Sequence, residues 1–290
     1  MKIATVFFIG AFLLANTALS AQELNSSWTP LLSKDLKNWD VFIGVPHTSV
    51  DLPGYAKGDG MNGTPVGLNN DPLHVFTIDE VDGQPVLHIS GQIYGGLSTK
   101  KEYENYHLKV EFKWGEKKYA PRLKDKRDNG IIYHATEPHG QFWNVWMRGH
   151  EFQVQEGDIG DYFALVGVGM DAHARKKDTS AKSGFIYDPA APIQHLTSNR
   201  TPSSTCSHSA DYEKPHGEWN TLELYCFGTK SVHVVNGHVV LVLENSRISP
   251  SQGPETSFQK GKIEIQSEGA EAYYRNIMIK KIDKMPNLKM

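Results

Sequence analysis

The chain has 290 residues, and its 30 basic and 33 acidic side chains leave a formal charge of −3. That balance offers no basic face of the kind nucleic-acid binders carry, and past the N-terminus no apolar run reaches the roughly 20 residues of a membrane span. The two cysteines, Cys206 and Cys226, are too far apart to suggest a zinc site; they allow one disulfide, but Cys226 suits a small buried hydrophobe equally well.

Lys2, the apolar run Val6–Ala15 and small residues at Ala18, Ser20 and Ala21 read as a cleaved export signal over residues 1–21. The expected address is periplasmic or extracellular, with residues 22–290 forming one domain. Residues 44–72 are rich in Gly and Pro and form the first long irregular stretch. His74–Ile78 and Pro85–Ser90, separated by Asp82-Gly83, then read as two strands joined by a tight turn. His107–Trp114 puts Leu108, Val110, Phe112 and Trp114 on one face and polar residues on the other. Asn129–His134 is a further strand.

Glu151–Glu156 follows, led in by Trp143, Trp146, Arg148 and His150 and followed by Asp158 and Asp161. Phe152 and Val154 alternate with Glu151, Gln153 and Gln155, so one face is apolar and the other carries a carboxylate and two amides. A half-exposed sheet strand shows the same alternation. The convergence of aromatic, basic and acidic groups on this segment points instead to a polar ligand, because buried polar groups need hydrogen-bonding partners. Glu156 is one residue out of phase, and a bulge near Gly157 would bring it beside the others. On that reading Glu151 and Glu156 line one cleft with Gln153 between them. Trp143 and Trp146 suit either sugar stacking or a core. Asp158 and Asp161 suit either turn capping or a divalent cation, although they lack the full ligand series of a calcium loop. No cofactor is required by the sequence.

Residues 188–217, rich in Pro, Ser, Thr and His, form the second irregular stretch, and both stretches are candidate cleft walls. The strands Thr221–Cys226, Ser231–Val235 and His238–Leu243 come next, the last two joined by Asn236-Gly237, a favoured hairpin turn. Lys262–Gln266 and Tyr273–Ile279 complete the pattern. Many short strands without alternating helices predict an all-β fold of two antiparallel sheets packed as a sandwich.

The ordered landmarks resemble a known family. Trp28–Trp39, Asn129-Gly130, Gly149–Gln153, Glu218–Asn220, Asn236-Gly237, Ile265-Gln266 and Arg275–Ile277 are similar to elements of the 3-keto-disaccharide hydrolase domain, formerly domain of unknown function 1080. The resemblance implies a concanavalin-A-like jelly roll with its site on the concave sheet. It also implies cleavage of the glycosidic bond of 3-keto-disaccharides or 3-keto-glycosides. His134 stands where the family often has Arg, and Glu156 where it often has Asp. The spacing of Glu151, Gln153 and Glu156 also resembles the Glu, helper and Glu of jelly-roll glucanases.

A C3 carbonyl acidifies the C2 proton, so a base can start an elimination that expels the C1 oxygen, and water then adds to the enone. In this scheme Glu151 and Glu156 are acid and base in unassigned order. Gln153, His134, Arg148 or His150 would donate to the enolate oxygen, and Trp143 and Asp158 are further candidate substrate contacts. The competing expectations are a lectin-like carbohydrate-binding module without catalysis and an ordinary endo-glucanase.

Overall fold

The computed structural model describes residues 27–178, 184–198 and 204–289; the expected export signal lies outside the described residues. The described elements are all strands, arranged in two sheets. The front sheet runs Gly67–Leu68, Trp39–Ile43, Gly95–Thr99, Lys262–Ser267, Asp128–Thr136, Arg148–Gln155, Tyr162–Leu165, Thr205–Ser207, Phe185–Tyr187 and Val168–Lys176. The back sheet runs Phe76–Val81, Gln84–Ile89, Ala270–Lys281, Tyr106–Lys118, Asn220–Phe227, Lys230–Val235 and His238–Ile248. All these pairs are antiparallel except Phe185–Tyr187 with Thr205–Ser207. His238–Ile248 continues onto Val168–Lys176, joining the sheets along one edge. This is the all-β sandwich expected from the pattern, with the jelly-roll form that the family resemblance implies.

Period-two alternation drives the packing. Leu108, Val110, Phe112 and Trp114 of the back sheet meet Ile131, Tyr133, Phe152, Val154 and Ile265 of the front sheet in one buried core. Burying each of these large side chains contributes about 1.5–3 kcal/mol. The turn residues behave as their types require: Asp82 and Gly83 have φ of 51° and 73°, and Asn236 and Gly237 have φ of 50° and 84°, the left-handed pairs that suit tight hairpins.

Cys206 and Cys226 are both buried free thiols, so the allowed disulfide does not form. The 188–217 stretch is less irregular than expected, since Ile193–Thr197 and Thr205–Ser207 are strands within it.

The outer face of the front sheet is also largely covered. Tyr94, Ile132, Val145, Trp146, Met147 and Leu165 form a second apolar cluster there, with Met61 and Phe142 packed against it. Segments 44–66 and 138–147 are tied together by a 2.8 Å hydrogen bond from Asn144 Nδ2 to Met61 O. The result is a wall standing on the concave face.

Candidate active site

Strand register alone aligns the polar groups of the concave face in three rows. The first is Ser98, Glu264, Ile132, Glu151 and Phe163; the second is Gly96, Gln266, Gly130 and Gln153; the third is Glu268, Asp128 and Gln155. In each strand the intervening residues face the core, so the hydrophobic pattern that builds the sandwich also fixes the site.

The two glycines of the middle row make the floor. A Cβ on Gly96 would collide with the Glu264 carboxyl, and one on Gly130 would collide with both Glu151 Oε1 and Gln266 Oε1. Both acids therefore lean from the first row over the glycines, with Gln266 between them. Asn129 holds Gly130 in place: its Nδ2 donates to Gln266 O at 2.7 Å, and its Oδ1 accepts from Gly130 N at 2.9 Å and from Tyr274 Oη at 2.6 Å. The hollow is nearly closed, with Glu151 5% and Gln153 6% exposed and Gln155 and Phe163 half-buried beside them.

Burial sets the charge states. Desolvation, reinforced by the charge of Asp128, pushes the Glu151 carboxyl up to about 8 against a hydrogen bond from Gln266. Desolvation likewise pushes Glu264 up to about 8, against the 3.0 Å hydrogen bond from Met147 N to its Oε2 and the charge of Lys262. Arg122 spans the third row, with Nη1 on Glu268 at 2.8 Å and Nη2 on Asp128. Burial raises both of these carboxyls, Glu268 far more than Asp128; the charge of Asp128 opposes ionisation of Glu268, a hydrogen bond from Glu268 favours that of Asp128, and Arg122 favours both. The pair therefore holds one negative charge at neutral pH, centred on Asp128, which Gln155 Nε2 also contacts. Neutral Glu151 and ionised Asp128 flank the same glycine. Glu264 Oε1, Gln266 Oε1 and Arg122 Nε are buried without a partner among the described residues.

The sequence-predicted residues divide between this hollow and other places. Glu151 and Gln153 lie on its face. Glu156 does not join them: it follows the strand end, where its carboxylate accepts from Arg127 Nη1 at 2.8 Å and Arg127 N at 3.0 Å, with His216 Nδ1 at 3.8 Å. Burial raises its pKa, but the bonds from Arg127 outweigh burial and hold it low. No bulge turns it back, because Gly157 N is instead anchored on Glu213 at 2.6 Å.

His134 and His150 are core residues. The His134 ring lies among Tyr106, Tyr133 and Phe258, and burial lowers it to about 3. His150 bonds Tyr162 Oη and Ser246 Oγ, each at 2.8 Å, and burial holds it well below its usual value. Arg148 has the parity of His150 and donates Nε to Val166 O at 3.1 Å. Asp158 pairs with Lys126 beyond the strand end. Asp161 accepts from Ser207 Oγ at 2.7 Å and from His208 N at 2.7 Å, so the two aspartates have separate protein partners. Among the described residues no three His, Cys, Asp or Glu side chains converge as a metal site would. Trp146 is buried with its Nε1 on Gly95 O at 2.8 Å, and Trp143 is 42% exposed.

Sequence reasoning missed Asp128, Glu264, Gln266, Glu268 and Arg122. A signal for three of them was present, since Glu264, Gln266 and Glu268 alternate with Ile263 and Ile265 as Glu151 and Gln153 do with Phe152 and Val154.

The sequence matches the profile of the 3-keto-alpha-glucoside-1,2-lyase-like domain over residues 27–280. The chain belongs to that family. The 3-keto-alpha-glucoside-1,2-lyase-like domain thus spans both sheets and every residue of the hollow, and it places the chain among carbohydrate-active proteins. None of the curated proteins matches the chain in sequence. Among solved structures, a candidate glycosyl hydrolase from Parabacteroides distasonis is 19% identical over 88% of this chain and 100% of that one, with a TM-score of 0.48. A second from the same organism is 18% identical over 86% and 91%, with a TM-score of 0.46. A Bacillus licheniformis beta-glucanase is 13% identical over 90% and 100%, with a TM-score of 0.40. Among the described residues no helix is long and apolar enough to cross a membrane.

Proposed function

We propose that the protein cleaves the glycosidic bond of 3-keto-glycosides by elimination, with Asp128 as base and Glu151 as acid. The observation that carries this reading is the pair of carboxyls held in opposite protonation states on either side of Gly130. With the sugar seated over Gly130, Asp128 takes the proton from C2 and the electron pair forms the enolate across C2, C3 and O3. Collapse of the enolate restores the C3 carbonyl, makes the C1–C2 double bond and breaks the bond from C1 to the leaving oxygen. Glu151 protonates that oxygen as it departs. Addition of water across the enone then gives the free 3-keto sugar.

Donors for the enolate oxygen are close at hand. Arg122 Nε is buried without a partner among the described residues, and Gln153, whose Oε1 accepts from Val154 N at 3.2 Å, can offer its amide nitrogen. A neutral amide at Gln266 between Glu151 and Glu264 adds no further charge to oppose an enolate. The export-signal character of the N-terminus fits a substrate met outside the cytoplasm.

The test is a paired assay. The protein is expected to release a free sugar from 3-keto-trehalose or 3-keto-sucrose and to leave the unoxidised sugars intact; equal turnover of both, or turnover of a plain β-glucan, would reject the elimination.

A further inference from the structure

The wall on the concave face ends in an aromatic side chain that nothing in the fold requires. Trp143 is 42% exposed, with its ring stacked on Phe142 at 4.7 Å and 20° and tilted by 47° to Trp146 at 5.7 Å. Trp143 and Asn144 both have positive φ, 52° and 56°. Two consecutive non-glycine residues in that region carry a backbone cost, and such strain is characteristic of ligand-contacting segments. The strain is locked in by the bond from Asn144 to Met61 O and by Phe142 N donating to Trp146 O at 2.9 Å.

The foot of the wall is the proposed site itself. Trp146 stacks on Tyr94 at 5.6 Å, and the next residue, Met147, donates its N–H to Glu264. A Cβ on Gly140 would lie 3.4 Å from Phe42 Cζ, and Phe42 is the cross-strand partner of Gly96. His139 stacks on Phe42 at 5.4 Å and bonds Ser98 Oγ at 2.9 Å. The aromatic wall therefore closes the Gly96 end of all three rows, from His139 on Ser98 to Tyr94 beside Arg122 and Glu268, and it reaches toward Glu151 through Ile132, which lies between Glu264 and Glu151 and belongs to the wall's own cluster.

Resting on the acid and base roles given above, we infer that Trp143 is a stacking platform for the leaving group, and that the site selects 3-keto-glycosides whose leaving group has a flat apolar face. The keto sugar must lie over Gly130, between the two acids. The bond that breaks points toward Glu151, and so toward the wall. A ring of Trp size, stacked on Phe142 yet 42% exposed, fits the apolar face of a pyranose or an aromatic aglycone, and gains little from a methyl group.

The experiment is calorimetric binding of methyl 3-keto-α-glucoside, phenyl 3-keto-α-glucoside and 3-keto-trehalose to Glu151→Gln protein with and without Trp143→Ala. Phenyl or pyranosyl ligand is expected to bind about tenfold or more tighter than methyl. Trp143→Ala should remove that advantage and leave methyl binding within about twofold. An advantage for phenyl alone identifies an aromatic aglycone; an advantage for both extends it to a second sugar. Trp143→Phe should keep most of the difference. Equal weakening of all three ligands, no weakening of any, or no binding at all overturns the inference. If the binding pattern holds but wild-type protein turns none of the three over, the elimination fails and the leaving-group platform stands.

Discussion

Gly130→Ala isolates the geometry of the hollow from its chemistry. Gly130 does not have a positive φ, so alanine introduces no backbone strain there and its effect is steric. The added Cβ would lie 2.3 Å from Glu151 Oε1, 2.4 Å from Gln266 Oε1 and 2.9 Å from Gln266 Cδ, all inside the 3.0 Å that real Cβ atoms keep. Glu151 Oε1 must therefore retreat by at least about 0.7 Å, and a misplacement on the order of 1 Å costs on the order of a hundredfold in rate. Overpacking of this kind costs about 1–3 kcal/mol, which in a chain of this size lowers Tm by roughly 2–4 °C per kcal/mol. The assay is kcat on a 3-keto-glycoside beside a thermal melt. The expected outcome is a folded protein, a few degrees less stable, with kcat reduced about a hundredfold. A Gly130→Ala protein with wild-type kcat would show that the Glu151 carboxyl need not lie over this glycine, and the site would have to be placed elsewhere.

Three further outcomes follow from the same site. Glu151→Gln and Asp128→Asn are each expected to lower kcat/KM by about a hundredfold or more, the scale of a lost acid or base, whereas Glu156→Gln, at the strand end with Arg127, should change it only a few-fold. The pH profile of kcat/KM should be bell-shaped. Its alkaline limb should fall through about 8 as Glu151 ionises, and its acid limb should lie above the ordinary carboxylate range, because burial raises the Asp128 and Glu268 pair. A profile flat from pH 5 to 9 would contradict both assignments. For stability the sign runs the other way from a salt-bridged acid. Glu264 has its pKa raised on folding, so its contribution is fully favourable below the unfolded value and is lost as pH rises through about 8. Glu264→Gln should accordingly raise Tm at pH 9 relative to wild type more than it does at pH 5.

Strand positions and the core were legible in the sequence because period-two alternation is a local signal. Phe152, Val154, Phe112 and Trp114 face the core as their spacing requires, and the Asn236-Gly237 and Asp82-Gly83 turns carry their own backbone preference. Glu151 and Gln153 could be read for the same reason. Glu156 could not, because whether a residue past a strand end bulges back or turns away depends on distant partners, here Arg127 and Glu213. His134 and His150 looked like site residues by proximity to Glu151, yet strand parity sends His150 to the opposite face, and a register shift between Tyr133 and Thr136 accompanies His134 inside the core. Asp128, Gln266 and Glu268 come from strands that pair only through the fold, more than a hundred residues apart in the chain. The alternation of Gln266 and Glu268 with Ile263 and Ile265 was visible, but which strands would be neighbours was not.

If Glu151 gives its proton to the departing oxygen, the loss on removing it must depend on the leaving group. Glu151→Gln should lose about a hundredfold or more in kcat/KM on methyl 3-keto-α-glucoside, whose alkoxide needs that proton, and only a few-fold on the 4-nitrophenyl glycoside, whose phenolate does not. Equal losses on the two substrates would show that Glu151 does not protonate the leaving oxygen.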